Sequence, residues 1–465
     1  MMNSPPKLPY CAFVPERGAR RLSAGMGQSR PPAGEVEQRD AGIFRDGLNR
    51  SRDSATANFR FAAAAQSRAL AGPKGTGPDG TWADIKFSAV QTQYYSLLFP
   101  AALRHIASQT RAIRLAMSQI AGSFDAYLDQ TVALDARLGA ASRVLRAIAA
   151  AAIEMSGLIG LGRLHGRLGE SRGSMNTDGD VQKELDVLAN DMFAGALRQA
   201  PVAAIVSEEM SEPLVLNSAG RLAVAMDPLD GSSNIDANVS IGTIFSILPV
   251  LATANGAEDH FLQPGRMQIA AGFVIYGPQT SIVFALGSGL TQIFTLDRRA
   301  GRFYHAVSAP VIDQESAEYA VNTSNYRHWE APVRSFIDDC EQGTEGPLKR
   351  DHTMRWTGSL VADTYRILLR GGIFLYPGDQ RAGYNNGRLR LLYEANPIAL
   401  IVERAAGIAT DGLHPILDIV PSAIHARVPL VFGSAGPVGL VARYHSDPQF
   451  SARAPLFGKR GLMRL

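Results

Sequence analysis

Apolar positions change their spacing several times along this chain, and each change predicts an element. From about Asp135, the residues Val144, Ile148, Ala151, Ala152, Met155 and Ile159 recur every three or four positions, the period of a helix with one buried face. The Gly-, Ser- and Asn-rich segment from Gly166 to Gly179 is expected to be a loop that stays mobile and can close over a site. Asp180 then stands as an N-cap before Val181, Leu185, Leu188 and Phe193, a second amphipathic helix. Val202–Ser207 reads as a buried strand ending in Glu208-Glu209, and Leu222–Met226 as another ending in Asp227. The short runs Thr243–Leu251, Ala271–Ile275, Ser281–Leu286 and Gln292–Leu296 predict a sheet-rich block. Beyond Gly346 the pattern predicts a helix over Ser359–Leu369 and strands over Gly372–Tyr376 and Arg388–Tyr393. A last helix is expected from Asn396-Pro397 to Gly407, with Pro at its first position and Gly past its end. Strands mixed with helices in both halves imply a layered α/β fold without internal repeats.

Composition changes this picture at one end. The 465 residues are 46% hydrophobic and 19% charged, a globular profile with room for two packed domains. The net charge of +3 is unevenly spread: residues 1–116 hold 16 Lys and Arg against 8 Asp and Glu, whereas the rest is slightly acidic. That asymmetry argues against a nucleic-acid-binding surface over the whole molecule. Residues 1 to about 82 lack periodicity and are rich in Gly, Pro, Ser, Ala and Arg. They are expected to be a disordered basic extension, a basic arm for a partner, or a segment outside a chain that starts at Met117. Cys11 and Cys340 cannot form a disulfide framework or a metal knuckle, which points to a reducing compartment. The apolar run Ala147–Leu161 is fifteen residues long and contains Glu154, so it reads as a core helix and not as a membrane span. A cytoplasmic enzyme without a membrane or nucleic-acid partner is expected.

Three of the predicted strand ends are acidic: Glu208-Glu209, Asp227 with Asp230, and Glu394. Strand ends are where layered α/β proteins assemble sites, although a carboxylate run such as Glu208-Glu209 can equally be a solvated face. The run Asp227-Pro-Leu-Asp-Gly-Ser-Ser-Asn-Ile-Asp236 is more specific. Asp-Pro-x-Asp-Gly is expected to fold as a tight turn that brings Asp227 and Asp230 together, a repulsive arrangement that a cation would relieve. Gly231, Ser232 and Ser233 offer consecutive N–H groups and two hydroxyls, a cradle for phosphate. Oxygen ligands without soft donors select Mg²⁺ or Mn²⁺ over zinc.

The DPLDGSSNID run, preceded by SEE, resembles the metal-dependent sugar and inositol phosphatase superfamily. The runs RWTGSLVADTYRILLRGGIFLYP and GRLRLLYEANPIALIVERAAGIATDG narrow the resemblance to class I fructose-1,6-bisphosphatase, over about Met117 to Gly433. The resemblance implies an α/β layered sandwich with an N-terminal subdomain over 117–313 carrying the metal motifs and a sugar-phosphate subdomain over 314–465. It implies two or more Mg²⁺ ions, replaceable by Mn²⁺, on Glu208, Asp227, the Leu229 carbonyl, Asp230 and Glu394. Glu209, paired with Asp186, would take the proton from the attacking water, and Asp230 to Ser233 would hold the transferred phosphoryl group. Asn322, Tyr376 and Arg388 would anchor the other phosphate, and Arg355 would reach in from a neighbouring subunit, which implies a homotetramer. The Gly166–Gly179 segment, with Asn176 and Asp180, is similar to the family's mobile catalytic loop.

The departures are local. Arg388 stands where many relatives carry Lys, which keeps the charge and adds a fork suited to phosphate. Trp356 replaces a tyrosine common after the Arg355 position. Arg221-Leu222 replaces the Lys-Tyr pair of animal-type relatives, and no Gly-Thr-Gly-Glu helix start precedes Val144, which argues against AMP inhibition of that type. The plastid redox-cysteine insertion is absent, Cys340 being alone in the matched region. The expected activity is Mg²⁺-dependent removal of the 1-phosphate of fructose 1,6-bisphosphate, in gluconeogenesis or the Calvin cycle. The alternatives are a sedoheptulose-1,7-bisphosphatase or dual activity, an inositol-monophosphatase-like activity, and a non-catalytic metal- or phosphate-binding relative.

Overall fold

The apolar runs predicted between residues 240 and 300 form the centre of an eight-stranded sheet with both faces buried. The structure, a computed structural model, describes residues 122–165, 171–175 and 181–447. Residues 1–116, Met117, Asn176 and Asp180 lie outside that range. In chain order the first elements are α1 (Phe124–Leu134), α2 (Gly139–Leu161), β1 (Ser171–Met175), β2 (Val181–Lys183) and α3 (Glu184–Leu197). Strands β3 (Val202–Ser207), β4 (Leu214–Val215), β5 (Leu222–Asp230), β6 (Ile241–Pro249) and β7 (Ala270–Tyr276) follow. After them come β8 (Thr280–Leu286), β9 (Gln292–Asp297) and β10 (Arg302–Ser308). The large sheet has the order β10-β9-β8-β7-β6-β5-β3-β4, antiparallel except for the parallel β3–β5 pair.

The second half contributes β11 (Glu318–Val321), α4 (Ala331–Glu341), β12 (Thr353–Met354), α5 (Leu360–Arg370), β13 (Ile373–Tyr376) and β14 (Leu389–Arg390). It continues with α6 (Asn396–Glu403), β15 (Ile408–Thr410), β16 (Arg427–Val428), β17 (Leu430–Gly433) and α7 (Ala435–Ser446). A smaller mixed sheet runs β12-β11-β13-β17-β15. Side-chain alternation assigns the layers. Phe245, Val274 and Phe284 pack on one side of the large sheet with Val144, Ile148, Ala152 and Met155 of α2 and Phe193 of α3. Ile244, Phe273 and Val283 point the other way, into α5, α6 and the inner face of the small sheet through Phe374 and Phe432. Ile373, Leu375 and Val431 complete the stack against α4 and α7. The result is helix, sheet, helix, sheet, helix, which explains why β6 to β8 read as unbroken apolar runs.

Helix α2 with its preceding turn, Ala136–Leu161, is long and apolar enough by length and composition to cross a membrane. Its buried face is the one that covers the large sheet, so it is a core helix. Several expectations need correction. Val181 begins no helix: residues 181–183 pair antiparallel with Ser171–Met175, inside the segment expected to be a loop, and α3 starts at Glu184. The strand expected over Arg388–Tyr393 stops at Arg390 and gives way to a single π-type turn, Leu391–Ala395, that runs straight into α6. Helix α6 ends at Glu403, and the left-handed position after it is Ala406 (φ 63°), not Gly407. The amides of Gly407 and Ala406 bond back to the carbonyls of Val402 and Glu403, a Schellman closure that normally uses glycine.

Two substitutions test these backbone readings with opposite signs. Ala406→Gly relieves the left-handed alanine and should raise stability by about 0.5–1 kcal/mol in urea unfolding. Gly242 on β6 has no room for a side chain, because a Cβ there would sit 2.6 Å from Val361 Cγ2 on α5. Gly242→Ala should therefore destabilise by about 1–3 kcal/mol in the same measurement.

Candidate active site

The DPLDG segment does not fold as the tight turn expected of it. Strand β5 continues through it to Asp230, with a bulge between Asp227, which pairs with Ile244, and Asp230, which pairs with Gly242. In a regular strand residues three apart face opposite sides, and the extra residue of a bulge turns Asp230 back toward Asp227. The Leu229 amide, inside the bulge, donates to Asp227 Oδ1 (3.0 Å), and Thr243 Oγ1 donates to the Pro228 carbonyl (2.9 Å). Gly231 then takes φ 77° to start the tight turn Ser232–Asn234. Gly231 and Ser232 are half-buried and Ser233 is exposed.

Three elements hold acids beside this bulge. Asp230 sits against the N-terminus of α5, where Ser359 is the cap, and accepts the Val361 amide (3.2 Å) and that of Leu360. Glu394 projects from the π-type turn, and its Oε2 accepts the Arg390 amide (2.5 Å). Asp227, Asp230 and Glu394 are all buried, and one carboxylate oxygen from each lies within 4.8 Å of the others. Glu208, at the end of β3, hydrogen-bonds Asp227 and stands 3.8 Å from Arg390 Nη2. Burial is the main force raising the Glu208 and Asp227 carboxyls well above their usual range, and repulsion from their acidic neighbours adds to it. Burial likewise pushes Asp230 up to about 6, against its helix-terminal amides, and Glu394 up to about 7, against the Arg390 amide. Anions this close and this desolvated fit a divalent cation, which needs hard oxygen donors and supplies the missing positive charge. Asp186 is buried on the first turn of α3, and Glu209 follows Glu208 half-buried, its amide donating to Ser207 Oγ (3.3 Å).

A second pocket opens at the C-terminal ends of β11 and β13. Asn322, Tyr376 and Arg388 line it together. The guanidinium of Arg388 makes no hydrogen bond or ion pair to any described residue and lies 5.0 Å from the Tyr384 ring. Tyr376 feels both sites: Arg388 stabilises its phenolate while Glu394, like burial, opposes it. Arg355 is not part of this pocket within the chain; it extends the pairing of β12 with β11, stands half-exposed and is 3.8 Å from Glu318. Trp356 stacks on Phe374 at 5.6 Å, a packing role for the residue that replaces the family tyrosine. Among the pocket residues that escaped the sequence reading are Asn325, Asp379, Tyr384 and Arg381.

A layered α/β fold with buried carboxylates beside a glycine-started turn, and a basic pocket one strand away, defines a phosphoric monoester hydrolase of the metal-dependent kind. Two family models match the chain, "Fructose-1-6-bisphosphatase, N-terminal domain" over residues 125–308 and "Fructose-1-6-bisphosphatase, C-terminal domain" over 312–446. A fructose-1,6-bisphosphatase class 1 of Rhizobium meliloti (strain 1021) is 55% identical over 326 residues, 69% of this chain and 92% of that protein. One from Methylorubrum populi is 54% identical over 344 residues, 74% of this chain and 98% of that protein. The crystal structure of Leishmania major fructose-1,6-bisphosphatase in holo form aligns at TM-score 0.65 and 34% identity, covering 70% of this chain and 99% of that one. The chain belongs to the class 1 fructose-1,6-bisphosphatase family.

The raised carboxyls give a signed pH prediction. Cation-free folded protein binds these protons more tightly than the unfolded chain, whose carboxyls titrate near 4, so its stability falls as pH rises from about 4 through 7. Added Mg²⁺ displaces the protons and should stabilise more at pH 8 than at pH 5.5, read as the rise in thermal midpoint over an EDTA control. Equal Mg²⁺ stabilisation at both values would contradict the cluster's role.

Proposed function

We propose that the chain hydrolyses the 1-phosphate of fructose 1,6-bisphosphate to fructose 6-phosphate and phosphate, with Mg²⁺ as its ion and Mn²⁺ as a substitute. One observation carries this reading. A single short stretch takes the chain from Arg388, in the basic pocket, through Arg390 to Glu394, in the buried acidic cluster. A substrate with a phosphate at each end can engage both at once. When bound, the cations supply positive charge to the phosphoryl oxygens and acidity to the attacking water. Glu208, Asp227, the Leu229 carbonyl, Asp230 and Glu394 are the residues that would hold them.

In this reading Glu209, oriented by Asp186, takes the proton from the attacking water. Asp230, Gly231, Ser232 and Ser233 cradle the phosphoryl group as it leaves the sugar, and Asp180 joins Glu209 and Asp186 as a catalytic residue. Asn322, Tyr376 and Arg388 bind the 6-phosphate, and Arg355 serves the same subsite of a neighbouring subunit in a homotetramer. Residues 117–313 then act as the metal-bearing subdomain and 314–465 as the sugar-phosphate subdomain, of a cytoplasmic enzyme. The basic pocket disfavours a monophosphate such as inositol 1-phosphate. It recognises a terminal phosphate and not a carbon count, so sedoheptulose 1,7-bisphosphate is the second substrate to test.

The discriminating measurement is phosphate release with Mg²⁺ from fructose 1,6-bisphosphate, sedoheptulose 1,7-bisphosphate and inositol 1-phosphate. Glu209→Gln or Asp227→Asn should lower kcat by roughly 10³-fold or more with the fold retained, as expected for groups acting on the reacting atoms. Activity surviving both substitutions would overturn the site. Arg388→Ala should raise KM for the bisphosphate about tenfold or more and leave a substrate without the second phosphate unaffected.

A further inference from the structure

Arg381 is the most tightly organised cation of the second pocket, and neither the fold nor the proposed chemistry has given it a role. It follows Asp379, which is buried, by two residues in the loop after β13. Its Nε donates to both oxygens of that carboxylate (2.9 and 3.1 Å), and its Nη2 donates to Asp379 and to Asn325 Oδ1 (3.1 Å). The guanidinium lies 4.4 Å from the centre of the Tyr384 ring, the same ring that Arg388 approaches at 5.0 Å. A turn closed by the Tyr384 amide on the Arg381 carbonyl (3.0 Å) fixes the ring against its cation. Two guanidinium groups therefore share one aromatic ring, with a single carboxylate to offset them. The Nη1 of Arg381 bonds to no described residue. Its side chain is 34% exposed, and the residue lines the pocket.

With its Nε/Nη2 edge held by Asp379 and Asn325, the guanidinium keeps the N–H donors of Nη1 for an oxygen of a phosphate ester, and the ordering of this arginine is completed on folding instead of on binding. Tyr384 contributes a flat face that keeps two like charges side by side at modest cost. We infer that Arg381, positioned by Asp379, Asn325 and Tyr384, is a second specificity-determining cation for the substrate's non-reacting terminal phosphate, acting beside Arg388. This rests on, and deepens, the bisphosphatase reading. The pair selects a dianionic phosphate terminus over a hydroxyl or a carboxylate, because the tetrahedral dianion presents oxygens to the Nη1 of Arg381 and to the Arg388 guanidinium at once.

The test is steady-state kinetics of the full chain with Mg²⁺ on fructose 1,6-bisphosphate and on fructose 1-phosphate, which lacks the second phosphate. Arg381→Gln, which can still hydrogen-bond Asp379, should raise KM for the bisphosphate about tenfold, leave its kcat within about twofold, and leave kcat/KM for fructose 1-phosphate unchanged. Arg381→Lys keeps the charge but not the fork or the flat stack and should behave like Arg381→Gln. Tyr384→Leu removes the shared ring without touching Asp379 and should raise the bisphosphate KM as well, while Tyr384→Phe should not. An unchanged KM in Arg381→Gln with an active wild type overturns this inference alone, as does an equal loss on both substrates. A wild type that releases no phosphate from fructose 1,6-bisphosphate overturns the functional reading and this inference with it.

Discussion

The mutual repulsion of carboxylates forced into one buried spot is the constraint on which the structure turns. Asp227, Asp230 and Glu394 would separate if each were free to reach water, and none is. What holds each in place is backbone. A bulge turns Asp230 onto the side of Asp227, amides at the start of α5 and within the bulge bond the two aspartates, and a π-type turn carries Glu394 with its oxygen on the Arg390 amide. Each of these devices is a local irregularity, of the sort a packed scaffold tolerates where a ligand repays the cost.

The scaffold makes those irregularities rigid. The middle helix layer is clamped between two sheets, so the start of α5 cannot drift from the end of β5, and Gly242 allows the two to approach closely. The same layer joins the two binding regions. Strand β13 ends at Tyr376 in the basic pocket, and β14 leads from Arg388 into the turn that bears Glu394. In the proposed reading a bisphosphate would span an acidic, cation-hungry end and a guanidinium-rich end.

Much of this was legible in the chain. The switch between helical and alternating spacing placed α2, most strands of the large sheet and α5 within a few residues, because burial on one or both faces writes itself into periodicity. Glu208, Asp227, Asp230 and Glu394 stood out for another reason: acids at predicted strand ends are conspicuous next to apolar runs. Less visible were features set by pairing across the fold. The bulge at Asp227–Asp230 depends on register against β6, the π-type turn at Leu391 on packing over the large sheet, and the left-handed Ala406 on a closure that composition assigns to Gly407. Arg381 and Tyr384 were silent because a turn loop has no periodic signature.

What the amino-acid order determined by itself was therefore the list of elements, the layered class and the chemistry of the acids and bases, since each depends on residue type and near-neighbour spacing. Only tertiary structure decided which oxygens converge, which backbone positions bend to allow it, and which arginines share a ring. Those outcomes depend on contacts between residues distant in the chain, such as Asp230 with Val361 or Arg381 with Asn325, and no local pattern specifies them.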